Sequence, residues 1–148
     1  MLAPPPLPPA LVDHAPGPLL TLDLLDAMRA ALARGERVWP GSLALGRSPG
    51  GASLTDEGFA WRGMRYPWPG PLRPRTLYAF DGEAFVPVSR YAGKLIKLVP
   101  TDWGVPTFEI DGIKMLPTAK ESPLADARRK VALVQPRAKR VLDTCGGL

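Results

Sequence analysis

Three things are scarce in this chain of 148 residues: cysteine, histidine and long apolar runs. A single cysteine, Cys145, excludes a disulfide framework within one chain. With only one histidine, His14, a Cys/His zinc site has too few ligands, so no metal is expected. This cysteine usage fits a reducing compartment, and a cytoplasmic location is expected. No apolar run approaches the roughly 20 residues that span a bilayer. The start, "MLAPPPLPPALVDHAPGP", has neither a basic opening nor an unbroken apolar stretch, so it does not read as a secretory leader. No membrane partner is expected.

What is abundant points to turns. Nineteen prolines and fifteen glycines favour short strands and loops over a helix bundle, while 45% hydrophobic residues suffice for a core. The length suggests one domain or one and a fraction. The net charge of +5 is concentrated: between Lys120 and Arg140 stand seven basic residues against Glu121 and Asp126, which leaves the rest of the chain neutral. Such a stretch is either a solvated helix face or a surface facing phosphate, carboxylate or nucleic acid.

Residues 1–18 form a Pro-rich segment for which an extended, flexible tail is expected. "TLDLLDAMRAALARG" predicts a helix capped by Thr21, with Asp23 in its first turn, Arg34 in its last and Gly35 ending it. Leu25, Met28 and Leu32 share one face, which needs a cover. In the middle, "FDGEAF" and "EIDGIKM" place Asp-Gly between apolar segments and predict hairpins with type I′ turns. "LTDEGFAW" predicts a third, looser hairpin, and "KLIKLVP" a half-buried strand. "MRYPWPGPLRPR" has too many prolines for a central strand and reads as a loop. Trp61, Trp68, Tyr78 and Phe80 are read as core aromatics, with a base-stacking platform as the alternative.

The last third changes character. "ESPLADARRKVALVQP" carries a helix start at Ser122 with Pro123 at the first helical position. Leu124, Ala127, Val131 and Val134 mark its expected buried face, and Arg128, Arg129 and Lys130 much of the remainder. Pro136 stops the helix, and "KRVLDTCGGL" predicts a strand that delivers Asp143 and the pair Gly146 and Gly147 to a glycine loop. Strand, carboxylate and glycine turn are how a nucleotide-type cofactor site begins.

Class I S-adenosylmethionine (AdoMet) methyltransferases use such a loop, and here Asp143 fits its acidic position, Cys145 replaces the first glycine and Gly147 fits the second. The lead-in sharpens the likeness. "PTFEIDGIKMLPTAKESPLADARRKVALVQPRAKRVLDTCGGL" resembles a family of predicted archaeal and bacterial methyltransferases, distantly similar in their cofactor domain to spermidine synthases. There a hairpin close to "TLEIsGIrM" precedes a "DarrKv" helix and then "VLDTCxGLGY". The correspondence covers roughly residues 91–148, and residues 1–90 match only loosely.

The resemblance implies an α+β fold class: a β-rich N-terminal domain with one helix over 19–116, followed over 117–148 by the first helix and strand of a truncated, Rossmann-like AdoMet-binding domain. It implies AdoMet as cofactor, with Asp143, Thr144, Cys145, Gly146 and Gly147 against its methionine part. It also implies that further cofactor-binding strands are missing, so the chain is expected to be an inactive fragment. Aminopropyl transfer is the less favoured chemistry.

Cys145 has no partner histidine, so a small turn residue is preferred over a nucleophile. Lys120, Arg128 and Arg129 could contact an anionic substrate or the AdoMet carboxylate, against the alternative of a solvated face. Methyl transfer demands positioning more than side-chain chemistry, which leaves catalytic residues unnamed. A second reading of different class stands beside this one: a non-enzymatic binding module, with RNA as its candidate ligand and weak, non-specific nucleic-acid binding through the basic extension.

Overall fold

A computed structural model describes residues 17–46, 50–116 and 118–135. Two helices and eleven strands occupy them: β1 (Leu19–Leu20), α1 (Leu22–Ala33), β2 (Val38–Trp39), β3 (Ala52–Leu54), β4 (Gly58–Trp61), β5 (Met64–Pro67), β6 (Tyr78–Phe80), β7 (Phe85–Pro87), β8 (Ser89–Tyr91), β9 (Leu95–Val99), β10 (Thr107–Ile110), β11 (Ile113–Lys114) and α2 (Pro123–Val134). The strands form three sheets, ordered β1-β6-β7, β2-β3-β4-β5 and β11-β10-β9-β8.

Local sequence accounts for most of these elements. The Thr21 side chain caps α1 by accepting from the Leu24 N–H. Leu25, Met28 and Ala31 are buried, with Leu32 packed beside them. Arg34 is the C-cap rather than a member of the last turn. The Asp111-Gly112 turn joins β10 to β11 directly, Ile110 facing Ile113, and both turn residues have positive φ (50° and 83°) as a type I′ turn requires. At Asp81-Gly82 the expected two-residue turn gives way to a longer loop, because Phe80 pairs with Phe85 and leaves four residues between. There the Asp81 carboxylate accepts from the Glu83 and Ala84 N–H groups, a local side-chain turn that holds its pKa below the usual carboxylate value.

One strand was hidden in the proline-rich loop. β5 pairs with β4 through a tight turn at Arg62-Gly63, both again at positive φ. Pro67 is tolerated because β5 lies at a sheet edge and Pro67 at its end. Gly58, opposite Pro67, is held by crowding: a Cβ there would stand 2.1 Å from the Tyr66 carbonyl oxygen.

The core lies between α1 and the two sheets containing β1–β7. Leu20, Met28, Ala31, Leu43, Ala52, Leu54, Phe59, Trp61 and Tyr78 form one buried cluster. Phe59, Tyr66, Phe80 and Phe85 extend it as a chain of ring contacts 5.2–6.3 Å apart. The aromatics are therefore core and core margin, not an open stacking platform. Val88 links this body to the third sheet. Its N–H donates to the Leu77 carbonyl and its own carbonyl accepts from the Leu98 N–H.

The Rossmann-like half of the expected fold is corrected by this topology. Every strand pair among the described residues is antiparallel, and only two short helices accompany three sheets. Short turns between neighbouring strands impose antiparallel pairing, whereas a doubly wound sheet needs helical crossovers between parallel strands. The strand expected around Val141 and Leu142 lies outside the described residues. No described helix is long and apolar enough to cross a membrane.

Candidate functional site

The basic segment singled out by sequence begins where the chain leaves β11. The Lys114 ammonium donates to Thr118 Oγ1 (3.3 Å), and the Trp103 indole N–H donates to the Thr118 carbonyl (3.0 Å). These two bonds fix the approach to α2. Ser122 then caps the helix, its hydroxyl accepting from the Ala125 N–H (3.0 Å), with Pro123 in the first turn. Between the approach and the first turns of α2 lies a cleft of about 310 Å³, lined by Thr118, Ala119, Lys120, Glu121, Asp126 and Arg129.

Its electrostatics are largely closed upon themselves. The Arg129 guanidinium donates to Glu121 Oε1 (3.0 Å) and to Asp126 Oδ1 (2.7 Å). Lys130 Nζ stands 2.6 Å from the other Asp126 oxygen. Asp126 is buried, and the Lys130 hydrogen bond, aided by Arg129, holds its carboxyl below the usual aspartate pKa. The hydrogen bond to Glu121 raises Arg129 above its already high value. Arg129 is thus an internal counter-ion.

Of the three predicted anion contacts, Lys120 and Arg129 share the cleft, and Arg128 is exposed and outside its lining. Among the described residues lining it, Lys120 is the one whose charge has no ion-pair partner. Asp143, Thr144, Cys145, Gly146 and Gly147 lie outside the described residues.

The helix does not bury the face its sequence suggests. Pro123 and Asp126 are buried, while Leu124, Val131 and Val134 are 47%, 56% and 65% exposed and Ala127 is exposed too. The expected apolar seam is corrected to a polar one. Asp126 is paired within the helix by Arg129 and Lys130, and Arg129 carries that seam across to Glu121 before the helix.

A second polar site, missed by the sequence reading, sits in the third sheet. Glu109 of β10 is 4% exposed, with Lys97 Nζ at 3.3 Å and the Arg75 guanidinium at 3.4 Å. Two residues away on the same face, the fully buried Thr107 has a hydroxyl with no hydrogen-bond partner among the described residues. The available signal was the alternation Thr107, Glu109 against Phe108, Ile110, but sequence alone does not say which face turns inward.

A shallow groove of about 630 Å³ runs over β3, β4 and β5, with Ser53, Gly58, Ala60 and Arg65 in its lining. Among the described residues no cluster of three His, Cys, Asp or Glu could hold a metal ion. No family model, no curated protein and no solved structure matches this chain.

Proposed function

We propose that the chain is the N-terminal portion of an AdoMet-dependent methyltransferase of unknown acceptor, with Asp143 to Gly147 as its contribution to the cofactor site. The observation that carries this reading is one of order. A two-residue Asp-Gly hairpin over 107–114, a capped helix containing "DARRK" and the run "VLDTCGGL" follow one another as in the family the sequence resembles. The first two are formed elements whose turn and cap chemistry are local. In this reading Lys120 is the charge available to meet a carboxylate. The sulfonium of AdoMet is already activated, so in-line positioning supplies most of the rate.

Calorimetric titration with AdoMet tests the reading. This chain offers one of the several contacts that such a cofactor needs, so it binds no AdoMet at micromolar concentration. A chain carried on past Leu148 through the remaining cofactor contacts binds it. Binding by neither removes the methyltransferase reading.

A second reading, a module that binds a partner without catalysis, is favoured by the open apolar face of the third sheet. Nucleic acid is the less suited partner, because Arg129 and Lys130 are already held by carboxylates. Binding to it would be weak, non-specific and steeply reduced by salt.

A further inference from the structure

The third sheet is built inside out. Its register sets Ile96 opposite Ile110 and Ile110 opposite Ile113, with Leu98 opposite Phe108 and Met115 beyond it. These side chains share one face, since residues directly opposite in a ladder point the same way. The other face carries Lys97, Glu109, Lys114 and Thr107, with Val99, Ser89, Leu95 and Tyr91 in the same rows. It is this face that is covered around Val99, Thr107 and Glu109, while Leu95 and Tyr91 at its far end are exposed. On the apolar face Ile96, Ile113 and Met115 remain 37%, 67% and 38% exposed.

The same chain holds a second uncovered apolar surface of complementary shape, the stripe Leu124, Ala127, Val131 and Val134 of α2. A helix stripe on a sheet face is the contact that α1 makes in the core. The helix is barred from covering its own sheet, however. Lys114 lies on the polar face, and its bond to Thr118, with that of Trp103, roots the approach to α2 on that side.

We propose that two copies of this chain associate by exchanging these surfaces, α2 of each lying on the apolar sheet face of the other. The exchange is isologous, uses both uncovered faces of both copies and closes at two. Six large apolar side chains per copy, Ile96, Ile113, Met115, Leu124, Val131 and Val134, stand 37–67% exposed on the two faces, and their mutual burial contributes to the roughly 800 Å² per partner of a standard interface. Charge does not oppose it strongly. Arg129 and Lys130 are neutralised within α2 by Asp126 and Glu121, which leaves Arg90 at the end of the sheet rows and Arg128 beside the helix stripe as rim charges. This association does not depend on the cofactor reading.

Sedimentation velocity on the full chain tests it. The chain sediments at twice the monomer mass at tens of micromolar, and added salt leaves this unchanged or strengthens it, because burial of apolar surface drives it. Val131→Lys and Ile113→Glu change exposed residues and leave the fold intact by circular dichroism, yet each returns the chain to monomer. A wild-type monomer over the whole range overturns the proposal and leaves the face to another segment or a different protein. So does a dimer that ignores both substitutions, or open-ended assembly instead of closure at two.

Discussion

The body formed by α1 and strands β1–β7 and the third sheet with α2 are built from similar residues in opposite senses. In the first, alternation sends Ala52, Leu54, Phe59 and Trp61 inward and leaves Ser53 outside. In the second, Thr107 and Glu109 go inward while Ile113 and Val131 face out. A strand pattern determines two faces, and only a cover determines which one is inside. The first region carries its own cover in α1. The second has a capped, well-formed helix, but that helix buries its Asp126 side and leaves its apolar stripe exposed. An apolar count therefore measures stability in one region and interaction potential in the other.

The sharpest way to break this contrast is to truncate one residue in each. Met28 is fully buried between α1 and the sheets, so Met28→Ala removes packing and leaves a cavity, costing about 2–5 kcal/mol in chemical denaturation. Val131→Ala takes a similar apolar contact from an exposed site on α2, and its effect stays within about 0.5 kcal/mol when the chain is monomeric. Equal losses at the two sites would show that α2 is packed after all.

Part of both regions was legible in the sequence, because the signals there are local. The Thr21 cap, the Leu25 and Met28 stripe, the Asp111-Gly112 turn and the Ser122 cap all act within four residues. The strand Met64–Pro67 was not legible. Its turn is Arg62-Gly63, and arginine at positive φ carries no composition signal. The Rossmann-like half was misread for a deeper reason: a helix and a following strand are shared by many topologies, and antiparallel order arises from pairings that no short motif encodes. Within the candidate site, the positions of Lys120 and Arg129 followed from the helix start. The pairing of Asp126 with Arg129 is an i,i+3 helix contact that sequence spacing supplies, whereas the contact of Arg129 with Glu121 needs the bend at 118–121.

A middle-sized effect is expected from the inverted sheet. Glu109→Ala leaves Lys97 beside a buried hole without its counter-charge, and a loss of about 1–3 kcal/mol follows. Thr107→Val works in the opposite direction. The hydroxyl is buried without a partner, so a methyl of the same shape removes an unmet desolvation penalty and stabilises by about 1 kcal/mol in thermal or urea unfolding. Destabilisation by Thr107→Val would mean that a water or a ligand meets this hydroxyl in solution. The polar face would then be a site rather than a covered surface.

The smallest effect concerns the turning of α2 and is best read locally. Lys130 and Arg129 lower the folded-state pKa of Asp126 below its unfolded value. A carboxylate so shifted stabilises the fold fully above its unfolded pKa of about 3.9, and the contribution is lost as pH falls through the lower, folded value. Amide exchange in residues 123–134 should thus be flat from neutral pH down to about 4, once intrinsic rates are divided out, and should quicken below that. Asp126→Asn keeps the size of the side chain but not its charge, so it should exchange faster at neutral pH. It should also lose most of the acid-dependent step. Exchange in α1 should show no matching step, because the buried side of that helix is apolar and is covered by the core. If both helices responded to acid alike, global unfolding rather than the Asp126 ion pairs would govern α2. The polar seam would then not be what holds the apolar stripe toward the outside.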